Sequence, residues 1–589
     1  MKNKTFRFLL LIGLLVLGVT YTFAQQATYG MHSHNDYHQQ FPFWKAYTNG
    51  ANSIEADVFL KKGTLYVTHA EDEIIAANTI ESLYLTPIAK LAKANNLNKV
   101  QLLVDVKSDA KATLKALVKV LKEYPELINN KNFKVVISGN RPAPKEYKAY
   151  PNFIWFDHQN IEDLDTIDLS KVALVSKSFK EYSVWNGLGR ITAGDSDKLN
   201  AVITKVHKMG KPMRFWGAPD TKTAWYRFAT MGIDFINTDK PGIAAEFLAH
   251  MDEQTYTLEK GINVYTPAYD YDAAATPMNI ILMIGDGNGL SQITSAMISN
   301  GGNLTVTQLK DIGLVKTSSY DDLVTDSAAG GTAMATGKKT NNRAIGTDPN
   351  GKPLETLVEY LSAKGYICGL ATTDRITGAT PSAFYAHVQE RDDSKAILKD
   401  LTQSNVRFFV AAGAEDQEAI AEAYTLKDVA HFNSVTDKTS MYLSEKGLAA
   451  AFERGTIFPM HVKKVLETLE TQDKPYFMMI EGAKIDSNGH TNNVKGIVDE
   501  MLDFDQTIAE VLKVADANKN TLVIITADHE TSGFGIMQGT DNGGFKGGFL
   551  THDHTAVMVP LFAYGPQAAI FRGVYENTEI FKKIVEITE

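Results

Sequence analysis

Asn279-Ile-Ile-Leu-Met-Ile-Gly-Asp286-Gly287 decides the fold of the second half of the chain. Its apolar run does not alternate with polar residues, so it reads as a strand buried on both faces, which belongs in a parallel sheet. The run ends in a glycine-flanked aspartate, and ligands collect at the carboxyl ends of such strands. The same design recurs in Tyr476-Phe-Met-Met-Ile480 followed by Glu481, and in Leu522-Val-Ile-Ile-Thr526 followed by Ala527-Asp528-His529. One strand-end aspartate is an ordinary turn residue. Three apolar strands that each deliver an acid or an imidazole at the same end point to one convergent site.

Asp486 and His490 follow Glu481 at an i, i+4 spacing, which puts both on one side of a helical turn and suits two ligands of one metal. His554 lies in a loop entering the apolar strand that begins at Val557, and His552 competes with it for the same role. In Thr325-Asp326-Ser327-Ala-Ala-Gly-Gly-Thr-Ala-Met-Ala-Thr-Gly337 a hydroxyl precedes a run of small residues with helical potential. Ser327 at such a helix N-terminus is either an ordinary cap residue or a nucleophile where backbone N–H groups favour an anion. The single cysteine, Cys368, rules out an internal disulfide or a Cys-based zinc site, so a tight metal site must use His, Asp, Glu and hydroxyls.

Together these segments resemble the alkaline phosphatase family in type and order: Gly285-Asp286-Gly287, Asp326-Ser327-Ala-Ala329, Glu481 to Asp486 with His490, Ala527-Asp528-His529 and His554-Thr555. Ala379-Thr380-Pro381, Tyr385-Ala-His387 and Arg391 are similar to the family segment that carries a magnesium-ligand hydroxyl and a phosphate-binding arginine. The resemblance implies two zinc ions and one magnesium. Asp486, His490 and His554 would hold the first zinc; Asp286, Asp528, His529 and Ser327 the second; Asp286, Thr380 and Glu481 the magnesium. It implies Ser327 as nucleophile, a phosphoserine intermediate and Arg391 as a fork on the phosphoryl oxygens. Sulfatases and phosphodiesterases of the same superfamily are the alternatives; the first need a cysteine or modified serine, and the second often use threonine. The sequence departs from the family pattern at Gly378, where better-known relatives place an acidic or imidazole side chain near the magnesium; glycine cannot orient a metal-bound water.

The first half alternates short apolar runs with helical patterns over about 225 residues. Strands are expected at Ser53–Val58, Leu65–Thr68, Val100–Val106, Lys134–Ser138, Phe153–Phe156, Met213–Trp216 and Phe235–Asn237, with a helix over Ala112–Tyr124. This suits a single barrel. Glu55 and Asp57 lie two apart on one strand face, Asp105 and Lys107 repeat that spacing, and His69 ends a strand. With His32-Ser-His34-Asn-Asp36 and Asn237-Thr-Asp-Lys-Pro241, the pattern resembles the glycerophosphodiester phosphodiesterase and phosphatidylinositol-phospholipase-C-like barrels. That likeness implies one magnesium or calcium on Glu55, Asp57 and Asp105, and His32 with His69 as the acid/base pair; His34 could replace His32. An inert module that docks a lipid or sugar head group is the alternative.

The chain is therefore expected to be α/β throughout: a (β/α)8-type barrel over 26–252, a linker over 253–277, and an alkaline-phosphatase-like α/β/α sandwich with a mainly parallel central sheet over 278–589. Residues 1–24 read as a signal peptide, with Lys2, Lys4 and Arg7 before an apolar run and Thr22-Phe-Ala24 as the cleavage site. The mature protein is expected to be exported, periplasmic or extracellular, without a stable membrane span, acting on small-molecule phosphoesters; a homodimer is compatible with this reading. A net charge of −10 argues against nucleic acid as a partner. Two phosphoester sites behind an export signal point to phosphate scavenging: secretion is expected to rise in phosphate-starved cells, and equal levels in replete cells would contradict it.

Overall fold

The computed structural model describes residues 29–257, 261–540 and 543–589. The segment read as a signal peptide lies outside the described residues. Among the described residues no helix is long and apolar enough to cross a membrane. The chain divides into two compact units, one ending at Met251 and the other beginning at Asp252.

The first unit contains β1 (Met31–Ser33), β2 (Ser53–Lys61), β3 (Thr64–Val67), β4 (Val100–Val106), β5 (Phe133–Gly139), β6 (Ile154–His158), β7 (Val172–Ser178), β8 (Met213–Trp216) and β9 (Ile236–Thr238). Eight of them run parallel in the order β8-β7-β6-β5-β4-β2-β1-β9, and β3 folds back antiparallel on β2. One parallel bridge, Arg214 to Phe235, joins the outermost strands. This is the expected eight-stranded barrel, with a thin helical layer: only a short 3-10 turn, Leu169–Lys171, separates β6 from β7. The helix Ala110–Leu121 shows how the layer forms. Thr113, Leu114, Leu117 and Leu121 bury one stripe, and the Asp109 carboxylate caps the Ala112 N–H. On β2 the pleat sends Ile54, Ala56 and Val58 into the main core and leaves Glu55 and Asp57 on the opposite face.

The second unit contains β10 (Thr255–Tyr256), β11 (Asn279–Gly285), β12 (Asp311–Lys316), β13 (Ile367–Thr372), β14 (Val406–Ala411), β15 (Thr425–Leu426), β16 (Thr439–Tyr442), β17 (Tyr476–Gly482), β18 (Thr521–Thr526), β19 (Glu530–Thr531), β20 (Gly535–Gly539), β21 (Phe545–Gly548), β22 (His554–Thr555), β23 (Val559–Tyr564) and β24 (Gly573–Glu576). The main sheet has the order β15-β16-β14-β13-β17-β11-β18-β23-β12-β24. It is parallel except for β23, which runs antiparallel to both its neighbours. Alternate residues of β11 feed two different cores: Ile281 and Met283 one, Ile280, Leu282 and Ile284 the other. Burial on both faces explains the unbroken apolar runs. Helices Leu290–Ser299, Ile457–Leu469 and Val494–Asn518 cover the first face; Ser327–Thr336, Leu357–Ala363, Ser394–Gln403 and Thr578–Thr588 cover the second. Within the second unit, β10 pairs with β21, and Tyr265 and Tyr269, in the stretch read as a linker, bond to Asp516 and Tyr564.

Candidate metal centre

Adjacent strands gather the acids. β11 lies between β17 and β18, with Ile284 in register with Glu481 on one side and Thr526 on the other. Their carboxyl ends therefore bring Asp286, Glu481 and the pair Asp528-His529 side by side. Gly287 turns the chain there with φ +70; an added Cβ would stand 2.8 Å from the Asp486 Cα, so no larger residue fits. The helix Lys484–His490 follows β17 and presents Asp486 and His490 from one turn.

Three donors form a first group. His490 Nε2 is 3.3 Å from an Asp486 carboxylate oxygen, His554 Nε2 is 3.5 Å from the other, and the two imidazole Nε2 atoms are 3.1 Å apart. Ligands about 2.0–2.1 Å from a tetrahedral zinc sit at about this spacing. The tautomers agree with this. His490 Nδ1–H donates to the His552 carbonyl and His554 Nδ1–H to the Thr325 carbonyl, so the two Nε2 atoms face each other, where a shared proton or a metal cation fits between them. His552, the competing histidine, instead directs Nδ1 at the His490 carbonyl from an exposed position.

A second group surrounds His529. Its Nε2 lies 3.5 Å from Asp286, 3.3 Å from Asp528 and 3.3 Å from Ser327 Oγ. Asp286 Oδ1 and Asp528 Oδ2 are buried with no hydrogen-bond partner, which fits a cation-binding role. The third group is oxygen only: Asp286 Oδ2 lies 3.5 Å from Thr380 Oγ1, and Glu481 accepts from Thr372. That donor set suits a hard ion such as magnesium.

Ser327 opens the ten-residue helix Ser327–Thr336, with Asp326 as its cap, accepting from the Ala329 N–H at 2.9 Å. The other Asp326 oxygen accepts from Arg391 Nη1 at 3.0 Å and holds that guanidinium beside the site. Gly330 packs its backbone against Asp528, where an added Cβ would meet the Asp528 Cβ at 3.1 Å; Gly331 does the same on the other side, with the Ala383 Cβ at 3.1 Å and the Thr380 Cα at 3.5 Å.

The protein's own charges in the cage oppose one another. Burial, with Asp374 next, pushes Glu481 up to about 8. Burial and Asp486 push Asp528 up to about 6, and burial with Asp528 and Asp486 pushes Asp286 far above the carboxylate range. Although burial works against it, hydrogen bonds from His490 and His554 hold Asp486 well below that range, and Asp486 raises His490 to about 9. Burial and the neighbouring His554 depress His529. Several buried carboxylates crowded together, each disfavouring the others' charge, suit a site that takes cations.

The barrel carries a separate cluster. Donor atoms of Glu55, Asp57 and Asp105 lie within 4.8 Å of one another. His32 Nε2 is 2.7 Å from Glu55, and His69 Nδ1 is 2.7 Å from Asp57. His34 stands apart, paired with Asp239 at 2.8 Å. His32 is fully buried and touches Arg214; burial and that guanidinium lower it to about 3. Residues that the sequence reading left without a role also enter. Arg214 bonds Glu55 at 2.9 Å, Lys107 bridges Asp57 and Asp105 at 3.1 and 3.3 Å, and the Tyr37 hydroxyl donates to Asp57 at 2.9 Å. An arginine inside an apolar strand, Met213-Arg214-Phe215, was the available signal for the first.

Comparisons with known proteins give matches in both halves of the chain. The alkaline phosphatase family model matches residues 277–407, 456–545 and 545–589, and the AIM6-like phosphodiesterase domain matches 22–101. Alkaline phosphatase 4 of Bacillus subtilis is 32% identical over 287 residues, 44% of this chain and 62% of that protein, so the chain spans less than two thirds of that relative. Alkaline phosphatase of Escherichia coli is 28% identical over 400 residues, 51% of this chain and 84% of that protein. The alkaline phosphatase of the Antarctic bacterium TAB5 is 36% identical with a TM-score of 0.51, covering 54% of this chain and 98% of that one; mutants of it were solved with Mg bound in a site called M3. Through its C-terminal half, the chain belongs to the alkaline phosphatase family, and its N-terminal region carries an AIM6-like phosphodiesterase domain.

Proposed function

We propose that the second unit hydrolyses phosphate monoesters through a phosphoserine on Ser327. The observation that carries this reading is the convergence of imidazole and carboxylate donors from three strands and one helix around the Ser327 hydroxyl, at spacings of 3.1–3.5 Å. Asp486, His490 and His554 would hold one zinc; Asp286, Asp528 and His529, with Ser327, a second; Asp286, Thr380 and Glu481 a magnesium. Bound there, such cations supply Lewis acidity to the phosphoryl group and lower the pKa of hydroxyl and water. The Ser327 Oγ attacks phosphorus in line, the bond to the leaving alcohol breaks, and water later cleaves the serine ester. Arg391, steadied by Asp326, donates its fork to two phosphoryl oxygens, and the helix N–H groups face the same anion. The test is p-nitrophenyl phosphate turnover by protein of measured metal content; no turnover by fully loaded protein would sink the reading.

A second site is proposed in the barrel: cleavage of a phosphodiester, with magnesium or calcium on Glu55, Asp57 and Asp105 and His69 with His32 moving protons. Asp57 Oδ1, buried and without a partner, favours a cation there, although one entering must displace the Lys107 ammonium from between Asp57 and Asp105. Exposed His69 is the more accessible proton carrier, since burial and Arg214 keep His32 neutral. In a Ser327→Ala background, hydrolysis of bis(p-nitrophenyl) phosphate is expected to fall at least about a hundredfold on adding His69→Ala. A rate unchanged by that substitution would favour a docking module. Export remains part of the proposal and rests on residues 1–24.

A further inference from the structure

Gly378 has φ −56 and ψ 154, a backbone conformation open to any residue. What excludes a side chain is the space in front of it. An added Cβ would overlap Asp374 Oδ2 and stand 3.1 Å from the Asp374 Cγ. The carboxylate of Asp374 thus already fills the volume that a side chain at 378 would occupy, two residues from Thr380.

Asp374 follows the carboxyl end of β13 and is tied to the site through its backbone. Its N–H donates to Thr372 Oγ1 at 2.8 Å, and that hydroxyl donates on to Glu481 Oε2. Its carboxylate has no ion-pair partner among the described residues. The cations whose charge reaches it are Lys484, Arg375 and Arg391. Lys484 Nζ donates to the Leu448 carbonyl, Arg375 pairs with Asp416 at 2.6 Å, and Arg391 pairs with Asp326 at 3.0 Å. A carboxylate offset only by the Arg375 N–H and by cations engaged elsewhere therefore stands close enough to Glu481 to raise it, and a shared cation would relieve both. Its exposure leaves room for water on the outer side.

We propose that Asp374 is a positioning residue for the hard cation of the Asp286, Thr380 and Glu481 site, supplying from the neighbouring turn the carboxylate that Gly378 cannot. It takes hydrogen bonds from the cation's water shell rather than ligating directly, and its negative charge favours occupancy. The inference rests on the magnesium assignment of the previous subsection.

The test measures magnesium binding, not turnover, by calorimetric titration of the zinc-loaded full chain. Asp374→Ala keeps the backbone N–H that orients Thr372, so only the carboxylate is lost. Affinity for magnesium is expected to fall about tenfold or more, at the scale of outer-shell partners. Gly378→Asp placed in the Asp374→Ala background returns a carboxylate to the vacated volume, with the Arg375 carbonyl 3.0 Å from its Cβ, and is expected to recover most of the loss. A merely structural role for Asp374 would not give that rescue. Equal melting temperatures of the metal-free forms separate binding from folding. Glu481→Gln serves as the control. If it abolishes binding while Asp374→Ala stays within twofold of wild type, the role of Asp374 is overturned. If Glu481→Gln also leaves binding unchanged, the magnesium assignment itself fails.

Discussion

Ser327→Ala is expected to lower kcat for p-nitrophenyl phosphate by at least about a thousandfold, with zinc content and fold retained. The substitution removes one oxygen and little else. Alanine suits a first helical position, and the Asp326 cap on the Ala329 N–H does not involve the hydroxyl. His529 keeps Asp286 and Asp528 beside it. No neighbouring hydroxyl takes over: Thr325 lies before the helix and donates to the Asp326 carbonyl. What remains is direct attack by water on a phosphoryl group that Arg391 still orients. Acid quenching during turnover of labelled substrate checks the same point, since wild type should trap label on serine and the variant should not. A variant within tenfold of wild type would show that the nucleophile lies elsewhere.

Chelation should abolish turnover and, in addition, give the protein a stability that falls as pH rises from about 7 to about 9. Without cations, Glu481 holds its proton up to about 8 against an ordinary 4.5, His490 up to about 9 against 6.5, and Asp286 is raised as well. In this window the unfolded chain has already released those protons, so the folded state binds more of them and stability declines with pH. His529, depressed in the fold, acts in the opposite sense but only below its ordinary 6.5. Zinc and magnesium replace the protons, so reloaded protein should lose the slope. Melting temperatures at pH 7 and pH 9, with chelator and with metals, are the measurement. A flat profile in the chelated protein would mean that the carboxylates are not packed as closely as described.

The strands that carry the acids were readable because two-sided burial removes polar residues from β11, β17 and β18 and leaves each terminal acid conspicuous. The Ser327 helix was readable from its small residues. Other parts depend on contacts between segments far apart in sequence. His554 is separated from His552 by one residue, and only the Thr325 carbonyl, 229 residues away, selects its tautomer. β1 is three residues with a single apolar side chain, too short to show any period, and β7 is a barrel strand that the expected set lacks. Asp374 looks like a turn residue in sequence; its place beyond Gly378 follows from how the turn closes. In the barrel, acids two apart on β2 were legible, but the cations opposing them come from β8 and from the residue after β4, and no local pattern links those.

Gly330 and Gly331 sit side by side on the Ser327 helix, one against Asp528 and the other against Thr380. The bare backbone there acts as a spacer of fixed thickness between the two ends of the cage. A methyl group on either glycine would widen one gap and, through the stiff helix, shift the attacking oxygen with it. The reach of the nucleophile is thus gauged by main-chain atoms, and variation in this family member should be tolerated at the rim of the site well before it is tolerated at these two positions.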